Sequence, residues 1–252
     1  MTILRVSRVV ADLPRAEAFY RDALGFRVID HSDMETICRL GDEEVALFQP
    51  PEPGRPYPAD SRTDDLWFQH LAIVVADMDA AYAQLSHHAG WRPISQGGPQ
   101  VLPPENGGIR AFKFRDPDGH PLELIWFPAG QGRGVWHDRR SPTPFLGIDH
   151  SAIAVSDTAR NVAFYESLGF TVTARSLNHG PAQERLDAVT NARVAVTELR
   201  SSETGMGLEL LAYDPPGRPV MGAANDIASD WVTLAGPAGE IRDPDGHRLV
   251  LM

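Results

Sequence analysis

A stretch of thirteen residues, Arg115-Asp-Pro-Asp-Gly-His-Pro-Leu-Glu-Leu-Ile-Trp-Phe127, returns in near copy as Arg242-Asp-Pro-Asp-Gly-His-Arg-Leu-Val-Leu-Met252 at the end of the chain. A repeat of this kind constrains the fold more than any composition figure, because each copy must be one supersecondary unit that buries its apolar face against its neighbours. Each copy reads as a β-hairpin: a Pro-Asp-Gly turn, with the glycine free to take positive φ, precedes an alternating strand. At one inward position of that strand Glu123 in the first copy becomes Val250 in the second.

Walking outward from the hairpins recovers the rest of the repeat. Val9-Val-Ala-Asp12 closes an apolar strand, Asp12 reads as a helix N-cap with Pro14 in the first turn, and Gly25 stops the helix. Alternating segments at Phe26 to His31, Glu35 to Leu40 and Glu44 to Gln49 complete a βαβββ unit. The order restarts at His70 with Asp77 as cap and Gly90 as stop, and again at His150 with Asp157 as cap. A fourth start at Trp231 passes almost at once to the last hairpin, so its helix and second strand are missing. The fold class is therefore α+β, with tandem βαβββ modules at 1–49, 69–127, 148–212 and, truncated, 226–252. Two pairs of modules give domains 1–127 and 148–252. The glycine-rich 128–147 is the linker between them, and Pro50 to Asp65 is a surface linker without regular structure.

Composition excludes several classes. The formal charge of −11 argues against a phosphate-backbone partner, so small molecules are the expected ligands. No apolar run approaches membrane-spanning length, and the first residues lack the basic start and apolar core of a signal peptide, which makes a cytoplasmic location the expectation. Cys38 is the single cysteine, on an alternating strand, and reads as a buried structural thiol.

Four such units in two pairs, with Phe-Tyr…Leu-Gly-Phe helix ends and two Asp-Pro-Asp-Gly-His hairpins, resemble the vicinal oxygen chelate superfamily, which includes glyoxalase I, extradiol dioxygenases and bleomycin-resistance proteins. The resemblance covers nearly the whole chain and implies clefts on curved sheets, with metal ligands on the first and last strands of each unit. Counting back seven residues from each N-cap aspartate gives Arg5, His70 and His150. Aligning the leucine after the key position of the last strand gives Ala46, Glu123, Glu209 and Val250. Unit four offers no histidine on its first strand, and Asp230 is its nearby carboxylate. Units two and three thus keep a His and a Glu each, whereas units one and four have lost the pair. The resemblance implies one live site between units two and three, with His70, Glu123, His150 and Glu209 as metal ligands, and one site without ligands, where Arg5 could pair with an acid.

Two imidazoles and two carboxylates suit a divalent Ni, Co, Zn, Mn or Fe(II) ion, with positions left for water and substrate. The family pattern then implies a glyoxalase-I-like lyase or isomerase acting on a small α-hydroxycarbonyl or hemithioacetal through an enediolate, with Glu123 and Glu209 as candidates to move the proton. A thiol such as glutathione is the implied cofactor; Arg175, Asn178, Arg185 and Arg193 could meet its carboxylates, although solvated strand ends explain them equally. The rival readings are an extradiol-type dioxygenase, disfavoured by a fourth protein ligand, and a non-catalytic protein that binds an antibiotic or other small molecule. A homodimer through the edge left open by unit four is the expected assembly. The remaining histidines have structural readings, with His120 and His247 capping their hairpins, and Phe19, Tyr20, Phe164 and Tyr165 read as helix packing.

Overall fold

Three aspartates start three helices in the same way. In the computed structural model Asp12, Asp77 and Asp157 all hold extended backbone with φ between −146° and −144°, and each carboxylate accepts from backbone N–H groups of the first turn. The helices are α1 (Leu13–Ala18, continued by a wider turn over Phe19–Ala23), α2 (Met78–Ser86) and α4 (Thr158–Ser167), with shorter helices α3 (Gly134–Asp138) and α5 (Pro181–Asp187). The structure describes every residue except 53, 203, 220 and 221.

Unit one contributes strands β1 (Ile3–Val9), β2 (Arg27–His31), β3 (Glu35–Leu40) and β4 (Glu43–Phe48), as the alternation predicts. Unit two contributes β5 (Gln69–Val75), the short β6 (Arg92–Pro93) and β7 (Gln100–Val101), β8 (Arg110–Arg115) and β9 (Pro121–Trp126). Unit three contributes β10 (Phe145–Ala154), β11 (Thr171–His179), β12 (Arg193–Arg200) and β13 (Gly207–Tyr213), and unit four only β14 (Trp231–Leu234), β15 (Gly239–Arg242) and β16 (Arg248–Leu251). No helix is found between β14 and β15, in line with the truncation.

The strands form two sheets, and the sheets do not follow chain order. One runs β15-β16-β14-β1-β4-β3-β2, joining units four and one; the other runs β11-β12-β13-β10-β5-β9-β8-β6, joining units three and two, with β7 also paired to β8. At each seam two first strands run antiparallel, β1 with β14 and β5 with β10. One core cluster takes residues from both sheets and the helices, among them Val6, Leu47, Leu71, Ile73, Ile153, Leu208, Tyr20 and Tyr165. Burial of each large apolar side chain there contributes roughly 1.5–3 kcal/mol. Because successive strand residues point to opposite faces, the residues between these, His70, Ala72 and Ala152 among them, project from the other face.

Two expectations about connecting segments are corrected. The 128–147 stretch is not an open linker: it contains α3, whose buried Trp136 packs on the outer face of β5 with Ala72 and Val74, and β10 already begins at Phe145. Pro50 to Asp65 has no regular element among its described residues, yet Tyr57, Thr63 and Asp65 are buried and it docks on the segment after β13: Leu66 N–H donates to the Arg218 carbonyl at 2.7 Å, and Gly217 N–H to the Asp64 carbonyl at 2.9 Å. Charged pairing, Arg218 with Asp60 and Asp65, holds these two segments together where composition alone suggested solvated chain. Cys38 is buried and unpaired, and burial raises its thiol to about 12, so it is inert. No helix among the described residues is long and apolar enough to cross a membrane.

Candidate metal centre

The ladders place the four donor positions side by side. On the β5–β10 seam His70 lies opposite Ala152 and His150 opposite Ala72, so the two imidazoles stand two residues apart across a pseudo-twofold. The parallel neighbours bring in the carboxylates, with Glu123 of β9 beside Ala72 and Glu209 of β13 beside Ala152. Small Ala72 and Ala152 leave the space that the side chains share.

The geometry follows. His70 Nε2 lies 3.1 Å from Glu123 Oε2, and His150 Nε2 lies 3.9 Å from the same oxygen and 3.3 Å from Glu209 Oε2. The ring centroids are 5.7 Å apart. One donor atom from each of His70, Glu123 and His150 falls within 4.8 Å of the others; Glu209 stands one step out, touching His150. All four predicted site residues therefore converge. They line a cavity of about 260 Å³ together with Lys113, Asn106, Asn178, Leu186 and Tyr213.

Burial sets the protonation. The His70 ring is desolvated and pushed down to about 4, so it is neutral at pH 7. Burial alone would raise Glu123, but His70, Lys113 and His150 outweigh it and hold the carboxyl at about 2. Burial likewise lowers His150, yet Glu209, Asp149 and Glu123 reverse that and bring it to about 9, while burial lifts Glu209 to about 7. Without a cation, the His150 proton neutralises the carboxylates around it.

The residues present fit a divalent cation. The buried His150 Nε2 has no hydrogen-bond partner among the described residues, although two carboxylates face it, and a Glu pair on core strands calls for positive charge. His150 Nδ1 is held 3.0 Å from Asp149 Oδ2, which fixes the ring so that Nε2 is presented inward, the usual outer support of a ligating imidazole. His70 lacks such support, since its Nδ1 has no partner among the described residues.

Three functional neighbours were not foreseen. Asp149 should point away from His150 by alternation, but a β-bulge between Ile148 and His150 re-aims it, and it also accepts from Trp136, Arg133 and Arg200. Lys113 lies directly across the hairpin from Glu123, so cross-strand pairing would have found it. Its buried ammonium pairs with Asp187 at 2.7 Å, at the end of α5, a helix announced only by Gly180-Pro181. Asp187 also accepts from Gln183 and Tyr213. Of the four residues suggested for a thiol cofactor's carboxylates, Asn178 lines the cavity, whereas Arg175, Arg185 and Arg193 are exposed and outside it.

The other sheet has the same register and none of the donors. Arg5 lies opposite Thr233 and Ser7 opposite Trp231, so Trp231 takes the place that His70 holds; Ala46 lies beside Ser7 and Val250 beside Thr233. Arg5 does meet an acid, Glu44, at 3.8 Å, and Arg39 reaches the same carboxylate at 2.6 Å.

The comparisons agree with this architecture. A family model for the Glyoxalase/Bleomycin resistance protein/Dioxygenase superfamily matches residues 2–124 and 147–211. The uncharacterized protein YaeR of Escherichia coli is 32% identical over 127 residues, covering 47% of this chain and 91% of its own, and the uncharacterized YwkD of Bacillus subtilis is 29% identical over 130, covering 49% and 94%. Glyoxalase I from Zea mays superposes over 99% of this chain and 91% of its own with a TM-score of 0.63 at 18% identity, a likeness of fold. With four modules in two sheets and a matching family model over most of its length, the chain belongs to the glyoxalase/bleomycin resistance protein/dioxygenase superfamily.

Proposed function

We propose that this protein is a metal-dependent, glyoxalase-I-like lyase or isomerase with a single site between units two and three, acting on a small α-hydroxycarbonyl or hemithioacetal. The observation that carries the reading is the convergence of two imidazoles and two carboxylates on one cavity, against none of them on the sister sheet. His70, Glu123, His150 and Glu209 would hold the ion. When bound, a divalent cation supplies Lewis acidity, stabilising negative charge on adjacent oxygens of the substrate.

The two carboxylates divide the remaining work. Glu123 is anchored, with His70 Nε2 3.1 Å from its Oε2 and Lys113 across the hairpin, and its side chain is 7% exposed. Glu209 is held only through Oε2, 3.3 Å from His150 Nε2, among the described residues and is 16% exposed, which leaves its carboxylate free to turn toward the substrate carbon, take its proton and return it to the neighbouring carbon. Lys113, Asn106 and Asn178 give the cavity a polar wall for the substrate's oxygens. Leu186 and Tyr213 keep bulk water from the acidic carbon.

The test is spectrophotometric. Metal-loaded protein should consume the methylglyoxal–glutathione hemithioacetal, and Glu209→Gln should abolish turnover while retaining most of the metal. No turnover with hemithioacetals of any thiol, together with oxygen uptake on catechols, would replace this reading by a dioxygenase; metal binding with neither activity would leave a binding protein.

A further inference from the structure

The twin hairpins hold their histidines differently. Both rings are anchored alike, His120 Nδ1 at 3.0 Å from Asp116 Oδ2 and His247 Nδ1 at 2.9 Å from Asp243 Oδ2, and in each case a helix tyrosine hydroxyl, Tyr20 or Tyr165, donates to the same aspartate. The far nitrogens then diverge. His120 Nε2 meets the Ile227 carbonyl at 3.0 Å and Asp230 at 3.4 Å. His247 is 8% exposed, and its Nε2 has no partner at all among the described residues.

The pseudo-twofold explains where the partner went. Asp230 immediately precedes Trp231 as Gln69 precedes His70, and Arg8 stands three residues past Arg5 as Ile153 stands three past His150. Behind the first hairpin, Arg8 and Asp230 fill the space with an ion pair at 3.7 Å, and Arg8 also donates to the Pro121 carbonyl. Behind the second, Ile153 and Gln69 stand in their place, and Gln69 turns to Ser151 at 3.0 Å. What results is a cavity of about 490 Å³ lined by His247, Arg248, Gln69, Trp67, Ala228 and the edge of Asp230, which among the described residues shares no lining residue with the metal centre.

We propose that this cavity is a second small-molecule site, for an organic acid that has a flat apolar body and a hydroxyl group. The chemistry is read from three surfaces. The His247 ring, held at Nδ1 by Asp243, presents Nε2 to the cavity, and a ligand hydroxyl, which both donates and accepts, matches that nitrogen. Arg248 spends its Nε on Glu240 at 2.9 Å and stacks over Trp231 at 4.7 Å, while its terminal nitrogens donate to no protein acceptor among the described residues. They are placed for a carboxylate. The proline rings, Ala228 and the Trp67 indole supply the apolar wall, and the volume is that of an ordinary ligand pocket.

Binding is measured by calorimetry on the full chain with salicylate, 4-hydroxybenzoate and benzoate as probes. At least one hydroxybenzoate should bind more tightly than benzoate. Arg248→Gln, on the pocket rim, should weaken it about tenfold or more, the loss of one charge-assisted contact, and Ala228→Leu should exclude it by filling the cavity. His247→Phe should erase the preference for the hydroxyl, a change in selectivity that mere loosening of the hairpin would not give. A His70→Ala, His150→Ala double variant should bind as wild type. The proposal is overturned by an absence of binding at millimolar concentration for all three acids, by affinity unchanged in Arg248→Gln and Ala228→Leu, or by binding that disappears with the metal-centre histidines.

Discussion

The two sheets of this protein share strand order, seam geometry and register, and differ in what their outer faces carry. Where units two and three meet, His70, Glu123, His150 and Glu209 converge. Where units one and four meet, the same ladder positions hold Trp231, Val250, Arg5 and Ala46. The scaffold is thus separable from the chemistry: hairpins, caps and seams persist without the donors. The interior behind each hairpin shows a complementary difference. Behind the first hairpin Arg8, Asp116, His120 and Asp230 knit into one network, whereas behind the second the His247 Nε2 has no partner among the described residues and faces a cavity.

The largest expected effect breaks the comparison at its centre. His150→Ala should weaken metal binding by more than about 100-fold, beyond the range for losing an outer partner, while Arg5→Ala, at the matching position of the other sheet, should leave metal content unchanged; equilibrium dialysis reads both. Next comes the pair beside the site. Lys113→Met leaves Asp187 buried without its cation and should cost about 3–5 kcal/mol in denaturant unfolding, and Lys113→Met with Asp187→Leu should recover much of it. An equal loss in single and double variants would mean that packing, not charge, is at stake.

The network behind the first hairpin predicts a pH signature. Burial pushes His120 down, but Asp116 and Asp230 push it further up, to about 9. A raised value means that the stabilisation is fully present below the free-imidazole value of about 6.5 and fades as pH rises through about 9. The stability gap between wild type and His120→Gln should therefore narrow across that window, by on the order of 3 kcal/mol at most; a gap independent of pH would remove the charge from the account. A smaller effect is expected at the outer support: Asp149→Asn should lower metal affinity 10- to 100-fold, about 1.4–2.7 kcal/mol, with all four inner donors intact.

Much of this was legible in the sequence, and the reason is periodicity. The family resemblance marks the first and last strands of each unit, the N-cap aspartates then fix the count back to His70 and His150, and the repeated Leu after the key position fixes Glu123 and Glu209. What escaped depends on contacts across the chain or on broken alternation. Asp149 reaches His150 only because a bulge turns it, and Lys113 becomes visible only once β8 is folded against β9. Helix α5 has a proline start but too few residues for a periodic signal, and α3 hides in a glycine-rich stretch whose Trp136 finds its place only against the finished sheet. Trp231 could not be matched to His70 before the β1–β14 ladder gave the register.

The most direct test of the account is elemental analysis of protein purified without chelator and titrated with divalent ions. About one ion per chain, reduced to none in the His70→Ala, His150→Ala double variant, is the predicted result, one site being offered by the one sheet that carries donors. No bound ion at saturation, or one ion that survives the loss of both histidines, would contradict it.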